Sequence, residues 1–226
     1  MASACQAGKA MLKDVPMKSP KIRSPRKPKG HGAERREEIL DAALALFSQK
    51  GVHAVSTRQI AEVAGISQPA LYAYFATKDD IAAELCVRAF AILADRIVAA
   101  RADMAPTPES FERCLRVYID FGVQNPDAYR VAFMLEKSVD GSFLEKTSGR
   151  PMAAGLDTFR MFLAMVSDFH ARGMTVSEDP MVATQTLWAG LHGLVALLIA
   201  RPEFPWVERE TLIATHVAML RRGALK

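Results

Sequence analysis

Apolar residues recur at helical spacing along almost the whole chain beyond residue 33. In 34–50, Ile39, Leu40, Ala43, Leu44 and Phe47 fall within about 140° of arc at 100° per residue, which makes one buried helix face. Gly51 then supplies a stop of the kind that favours left-handed backbone. Ser56-Thr57-Arg58-Gln59 has the spacing of a capping box, with Ser56 as cap and Gln59 reaching back. It opens a short helix over 57–64, with Ile60, Ala61 and Ala64 on its apolar side. Ser67 caps the next helix, 68–75, whose apolar side is Leu71 and Phe75; Pro69 sits in a first turn that has no N–H partner to lose. Thr77-Lys78-Asp79-Asp80 is a second capping box with acids at the positive helix end, and predicts a long helix to about Arg101.

The same periodicity predicts helices near 108–124, 126–137, 152–173, 178–200 and 206–222, punctuated by Asn125-Pro126, Gly173, Pro180 and Pro202-Glu203-Phe204-Pro205. Alternating β-branched runs are scarce, and no long internal repeat is visible. The expected fold class is all-α: an N-terminal three-helix helix-turn-helix domain over 34–80, then a C-terminal helical bundle over 81–226. Residues 1–33 carry Pro16, Pro20, Pro25 and Pro28 among lysines, serines and glycines, without apolar periodicity. They predict a disordered basic arm. A solubilising tail, or a true start at Met11 or Met17, fits that stretch as well.

Charge sharpens this division. The net +4 of the 226-residue chain hides a +7 arm, while residues 79–226 hold 16 basic and 19 acidic side chains. Half the residues are apolar, enough for a sizeable core. The longest strongly apolar stretch, 187–200, falls short of the roughly 20 residues of a membrane span and predicts a buried helix. Cys5, Cys86 and Cys114 lie far apart and form no CxxC pair, which argues against a zinc site or a disulfide framework. The five histidines include no HExxH. The basic N-terminus lacks the apolar core of a secretory signal. These features predict a cytoplasmic protein with no metal and no cofactor. Beyond residue 101 no nucleophile–base–orienter set is supported by spacing; His170, His192 and His216 stand singly on helical faces. The expectation is a protein that is not an enzyme.

The two short helices, joined by Gly65-Ile66-Ser67, form a helix-turn-helix, a unit whose second helix enters the DNA major groove by its N-terminal residues. Gln68, Pro69, Tyr72 and Ala73 span about 140° away from Leu71 and are free to face bases. A glutamine can pair with adenine N6 and N7 together, and Pro69 or Ala73 can meet a thymine methyl. The alternative for Tyr72 and Tyr74 is packing against the first helix.

With these residues the chain resembles the TetR family of transcriptional regulators. The carriers are STRQIAEVAGIS and PALYAYFATKDDI, in the form I-A-x-x-A-G-x-S-x-x-x-L-Y-x-x-F-x-x-K, within 34–101. The resemblance implies phosphate contacts at Thr57 and Lys78, with Arg58 adding positive charge. It implies recognition-helix contacts at Ser67, Gln68, Pro69, Tyr72 and Ala73. Tyr74 stands where the family often has histidine and implies an edge phosphate contact at most. More weakly, NPDAYRVAF (125–133) and LWAGLHGLVAL (187–197) resemble regulatory domains of a subgroup named for a Trp-His-Gly signature, here Trp188, His192 and Gly193.

The second domain is dense in aromatic and thioether side chains: Tyr118, Phe121, Tyr129, Phe133, Met134, Phe159, Met161, Phe162, Met165, Phe169 and Trp188. His192 shares a helix face with Trp188. Composition permits core or cavity at each position. The resemblance implies a pocket for a small, largely apolar effector, formed among Tyr118, Phe121, Tyr129, Phe133, Met134, Phe162, Met165, Phe169, Trp188 and His192. The last two helices are apolar on more than one side, through Leu187, Leu191, Leu194 and Leu198, then Ile213, Val217 and Leu220. The resemblance implies that they form a four-helix homodimer interface. The expected function is a dimeric repressor on double-stranded DNA with an inverted-repeat operator. An activating or constitutive DNA-binding dimer, and a DNA-binding domain fused to an enzyme, are the alternatives. A membrane-surface module would need an amphipathic face that the arm lacks.

Overall fold

The computed structural model describes residues 32–102, 105–134 and 146–226, and is helical through most of them. The basic arm lies outside the described residues except for Gly32 and Ala33, which begin helix α1 (Gly32–Lys50). Then follow α2 (Thr57–Val63), α3 (Gln68–Tyr72) and α4 (Lys78–Arg101). The second half holds α5 (Pro108–Gln124), α6 (Pro126–Tyr129), α7 (Arg150–Ala171), α8 (Pro180–Ala200) and α9 (Arg209–Ala224).

The caps expected from sequence are present. Ser56 and Gln59 close a reciprocal box at α2, and Thr77 and Asp80 close another at α4. Ser67 accepts from the Ala70 N–H at α3. Between α2 and α3, Gly65 takes a φ of 67°, and Ile66 N–H reaches back to Ala61 O at 2.9 Å. That pair of features is a Schellman turn, which lets α3 leave at a sharp angle to α2. Helix α3 ends at Tyr72 rather than 75; the chain then tightens into turns that bring Phe75 into the core.

One difference from the sequence pattern affects the second half. The helix expected over 126–137 is a single α turn, α6, that widens into a π-helical turn, Arg130–Met134. The wider turn sets Tyr129 and Phe133 as stacked rings 4.6 Å apart, both pointing into the bundle. Residues 135–137 lie outside the described region.

Helix α4 packs most extensively on α7 and α5, and also meets α1. Its buried face runs from Ile81 to Ile97 without a break between the two halves of the protein. Helix α8 is long and apolar enough by composition to cross a membrane, yet here it packs among α5, α7 and α9. The C-terminus is tied down: Thr175 and Leu225 form a β-bridge, and Lys226 N–H donates to Met174 O.

Candidate functional site

The expected DNA-facing residues come together around the helix-turn-helix. Gln68 Nε2 donates to Thr57 Oγ1 at 3.0 Å and lies 3.4 Å from the Tyr72 hydroxyl, itself 3.2 Å from Thr57 Oγ1. Thr57 opens α2 and the other two lie on α3, so the triangle fixes how the two helices present their outer surface. Tyr72 is half-exposed, and the bonds from Thr57 and then Gln68 hold its phenol below the usual tyrosine range. Arg58, Ser67, Pro69, Ala73 and Tyr74 are exposed around this triangle. Tyr72 therefore bonds across the helix-turn-helix from an exposed position, and Tyr74 is about one-third exposed.

Lys78 is placed differently from a free phosphate anchor. A cation in the first turn of a helix opposes the helix dipole. Here its Nζ folds back to donate to Val55 O at 2.9 Å and His53 O at 3.3 Å. It thus holds the loop before α2 against the start of α4. Arg36 stacks over the Phe75 ring at 4.8 Å and pairs with Glu84 on α4 at 3.2 Å. Arg88 binds Glu37 on α1. Those guanidiniums hold Glu84 and Glu37 below the usual carboxylate range.

In the second half, α4, α5, α7, α8 and the π turn line a cavity of about 670 Å³ that opens to solvent beside Met152, Leu156 and Gln185. Phe90, Leu93 and Ile97 of α4 form one wall, and Pro151, Met152, Gly155, Leu156, Phe159 and Phe162 of α7 face it. Gly155 lets the Phe90 ring approach: a Cβ there would stand 3.1 Å from it. Of the expected pocket residues, Tyr118, Phe133, Phe162 and Trp188 line this space.

The others lie outside its lining. Phe121 and Tyr129 are fully buried in the core, Phe169 packs edge-on against Phe111, and Met165 is buried beside it in the bundle. Met134 is only partly buried, against the core. His192 accepts or donates at Nδ1 to Tyr129 rather than facing the cavity. Helical periodicity marks which side of a helix is inward, but an inward residue can meet either packed side chains or empty space. Cys114, Thr158, Gln185 and Ala189 are wall residues that the pattern did not single out. Only their neighbours across the bundle reveal them.

His170, His192 and His216 each have a hydrogen-bond partner within the protomer. His170 Nδ1 is 2.9 Å from Thr175 Oγ1, and His216 Nε2 donates to Gly190 O. No group of three metal-ligating side chains occurs among the described residues. The terminal helices differ from expectation in which face is free. Leu187, Leu191, Leu194, Ile213 and Val217 are buried within the protomer, and Leu198 and Leu220 are partly so. The outward face of α8 instead carries Val182, Thr186, Gly193 and Leu197; that of α9 carries Thr215, Met219 and Arg222. A helix apolar all round hides this choice in its sequence.

Comparison with known proteins gives two family matches. Residues 39–85 match the family described as bacterial regulatory proteins, tetR family. Residues 111–220 match the tetracyclin repressor-like C-terminal domain, which does not test the Trp-His-Gly subgroup. The chain is 30% identical over 125 residues to the nucleoid occlusion factor SlmA of Haemophilus influenzae (strain PittGG), a match covering 53% of this chain and 57% of that protein. It is 45% identical over 60 residues to the HTH-type transcriptional regulator AcrR of Shigella flexneri, covering 26% and 28%. The chain thus spans little more than half the length of SlmA and about a quarter of AcrR. Among solved structures, the ketosteroid transcriptional regulator of Mycobacterium tuberculosis superposes with a TM-score of 0.66 at 20% identity, covering 85% of this chain and 95% of that one. That likeness is one of fold.

The Lys78 clamp is testable without DNA. Lys78→Met keeps the aliphatic stem and removes both carbonyl bonds, and we expect a loss of about 1 kcal/mol in the free protein. Thermal denaturation measures it. An unchanged Tm would mean that the lysine serves only an external partner.

Proposed function

The chain belongs to the tetR family of bacterial regulatory proteins, which are DNA-binding transcriptional regulators, and from that premise we propose a dimeric, ligand-released repressor. The observation that carries this reading is the shared helix α4. Its first turn holds Lys78 against the helix-turn-helix, and its later turns supply Phe90, Leu93 and Ile97 to the cavity. A molecule filling the cavity presses on the same rod that seats the DNA-facing surface.

Charge supports a second link. Arg150 begins α7 and stands within 4.0 Å of Asp80 and 3.9 Å of Glu84 on α4, and Lys146 lies 3.6 Å from Asp79. Pro151 and Met152, next along α7, are cavity wall. The ligand must favour the released conformation to act at all. A shift from 99:1 to 1:99 takes about 5.5 kcal/mol. Roughly 220 Å² of apolar ligand surface, buried only in the released form, supplies that at about 25 cal/mol per Å².

On DNA, Gln68, Pro69, Tyr72 and Ala73 are the proposed base readers, with Thr57, Arg58, Ser67 and Tyr74 near the phosphates. Because Thr57 is bonded to Gln68 and Tyr72, anchoring and reading act as one unit rather than separately. The proposed homodimer uses the outward face of α8 and α9, and its two-fold symmetry implies an inverted-repeat operator. A cytoplasmic location, with no membrane partner, follows from the same reading.

Sequences selected from a random DNA pool should show that inverted symmetry, and their absence of symmetry would overturn the dimer reading. Gln68→Ala should relax selectivity at one base pair per half-site by about 1–3 kcal/mol. Binding to single-base operator variants measures it; a uniform loss across all variants would remove Gln68 from the readers.

A Cβ built on Gly193 meets nothing within 4 Å, so the protomer has room there. Gly193→Arg should leave the helical content intact and yield monomers in sedimentation. Dimers that persist in this variant would place the interface elsewhere.

A further inference from the structure

We propose that the cavity selects an uncharged ligand that donates a hydrogen bond, a phenol or a hydroxylated polycycle, and rejects carboxylates and phosphates. This rests on reading the cavity as the effector site and adds the chemistry of its ligand.

The first support is charge. None of the described wall residues carries a side-chain charge at neutral pH. Cys114 is buried, and burial pushes its thiol up, so it stays protonated. The cations felt there, Arg101 and Arg113, belong to exposed side chains whose pull is outweighed by that burial. An anion entering this wall would lose much of its water with no cation to replace it.

The second support is the direction of the hydrogen bonds. Trp188 Nε1 donates to the Tyr118 hydroxyl at 3.2 Å. The Tyr118 and Tyr129 hydroxyls are 2.9 Å apart, and Tyr129 lies 2.7 Å from His192 Nδ1. An indole only donates, and a neutral imidazole accepts at one nitrogen. Burial lowers the pKa of His192, which favours its neutral form. Run from Trp188 to Tyr118 to Tyr129 to His192, the indole and both phenol protons are bonded within the protein; the reverse run leaves the Tyr118 proton unbonded.

In the first direction Tyr118 has no proton left to offer, while its oxygen keeps a lone pair. Thr158 is in the same position, since its hydroxyl donates to Ala154 O at 2.9 Å. The remaining polar wall groups are the weakly donating Cys114 thiol and Gln185, which is solvent-exposed. A ligand hydroxyl can donate to Tyr118 or Thr158 with no rearrangement. To bond Tyr118, a ligand that only accepts must first reverse two hydroxyls and the imidazole tautomer; otherwise it is left with the weak Cys114 thiol and the exposed Gln185 amide.

The chain has two tryptophans, and Trp206 bonds Arg201 O away from the cavity wall. Full-length protein carrying Trp206→Phe thus leaves Trp188 as a local reporter. Its emission is titrated with 4-phenylphenol, 4-methoxybiphenyl, biphenyl and biphenyl-4-carboxylate, and release of pool-selected DNA is followed in parallel. We expect the phenol to bind about five- to tenfold tighter than the ether, and the carboxylate to bind at least about a hundredfold weaker than the phenol. Tyr118→Phe or Thr158→Val should bring the phenol-to-ether ratio to about one while biphenyl binding persists.

Equal binding of phenol and ether, or tight binding of the carboxylate, overturns the proposal and leaves the effector reading standing. Phenol selectivity without DNA release supports the proposal and removes the effector reading. If none of the four alters Trp188 emission, both fall. The wild-type ratio decides the matter even if a variant fails to fold.

Discussion

Helix α4 must satisfy two cores with one rigid body. It is 24 residues long, about 36 Å at 1.5 Å per residue. Its first turns are fixed beside α1 by the Lys78 clamp and by the ion pairs of Glu84 and Arg88. Its middle is bonded to the π turn through Cys86 and the Val131 carbonyl, and its later turns face the cavity. Close-packed interiors transmit displacement rather than absorb it. Neither end of such a helix can move without consequence for the other, and the proposed switch needs no other device.

The π turn explains why the cavity has the polarity it does. Widening the helix at Arg130–Met134 lets Tyr129 lie between Tyr118 and His192 while stacking on Phe133. The Tyr118 hydroxyl at the wall is bonded to that of Tyr129, which in turn meets the imidazole. What remains is a space whose surface is aromatic and aliphatic, with few polar atoms. Filling the cavity and ordering this relay are then linked, because Tyr118 and Trp188 belong to both.

Local rules made the first half of the fold legible. Ser56, Ser67 and Thr77 mark three helix starts through bonds within a few residues, and Gly65 marks the turn through its backbone. The side of α3 away from Leu71 is likewise set by helical period alone. What sequence withheld depends on distant partners. Nothing near Lys78 in the chain announces that it will bond carbonyls 23 and 25 residues earlier. Phe162 lines the cavity and Phe169, two turns later on the same helix, does not; the difference lies in Phe111, which fills the space next to the latter. The outward face of α8 was hidden for a similar reason, since Leu187, Leu191 and Leu194 pack into the protomer's own core while Leu197 faces out.

The central claim is that an occupant of the cavity moves α4 and with it the DNA-facing surface of each protomer. The most direct test is the distance between spin labels on the two protomers at Val63→Cys, an exposed site on α2, in a Cys5→Ser background that leaves only the buried Cys86 and Cys114. On operator DNA the distribution should be narrow. A cavity ligand that releases DNA should shift it by several Å, in the free protein as well as in the complex. Release of DNA with an unchanged distance distribution would contradict the account.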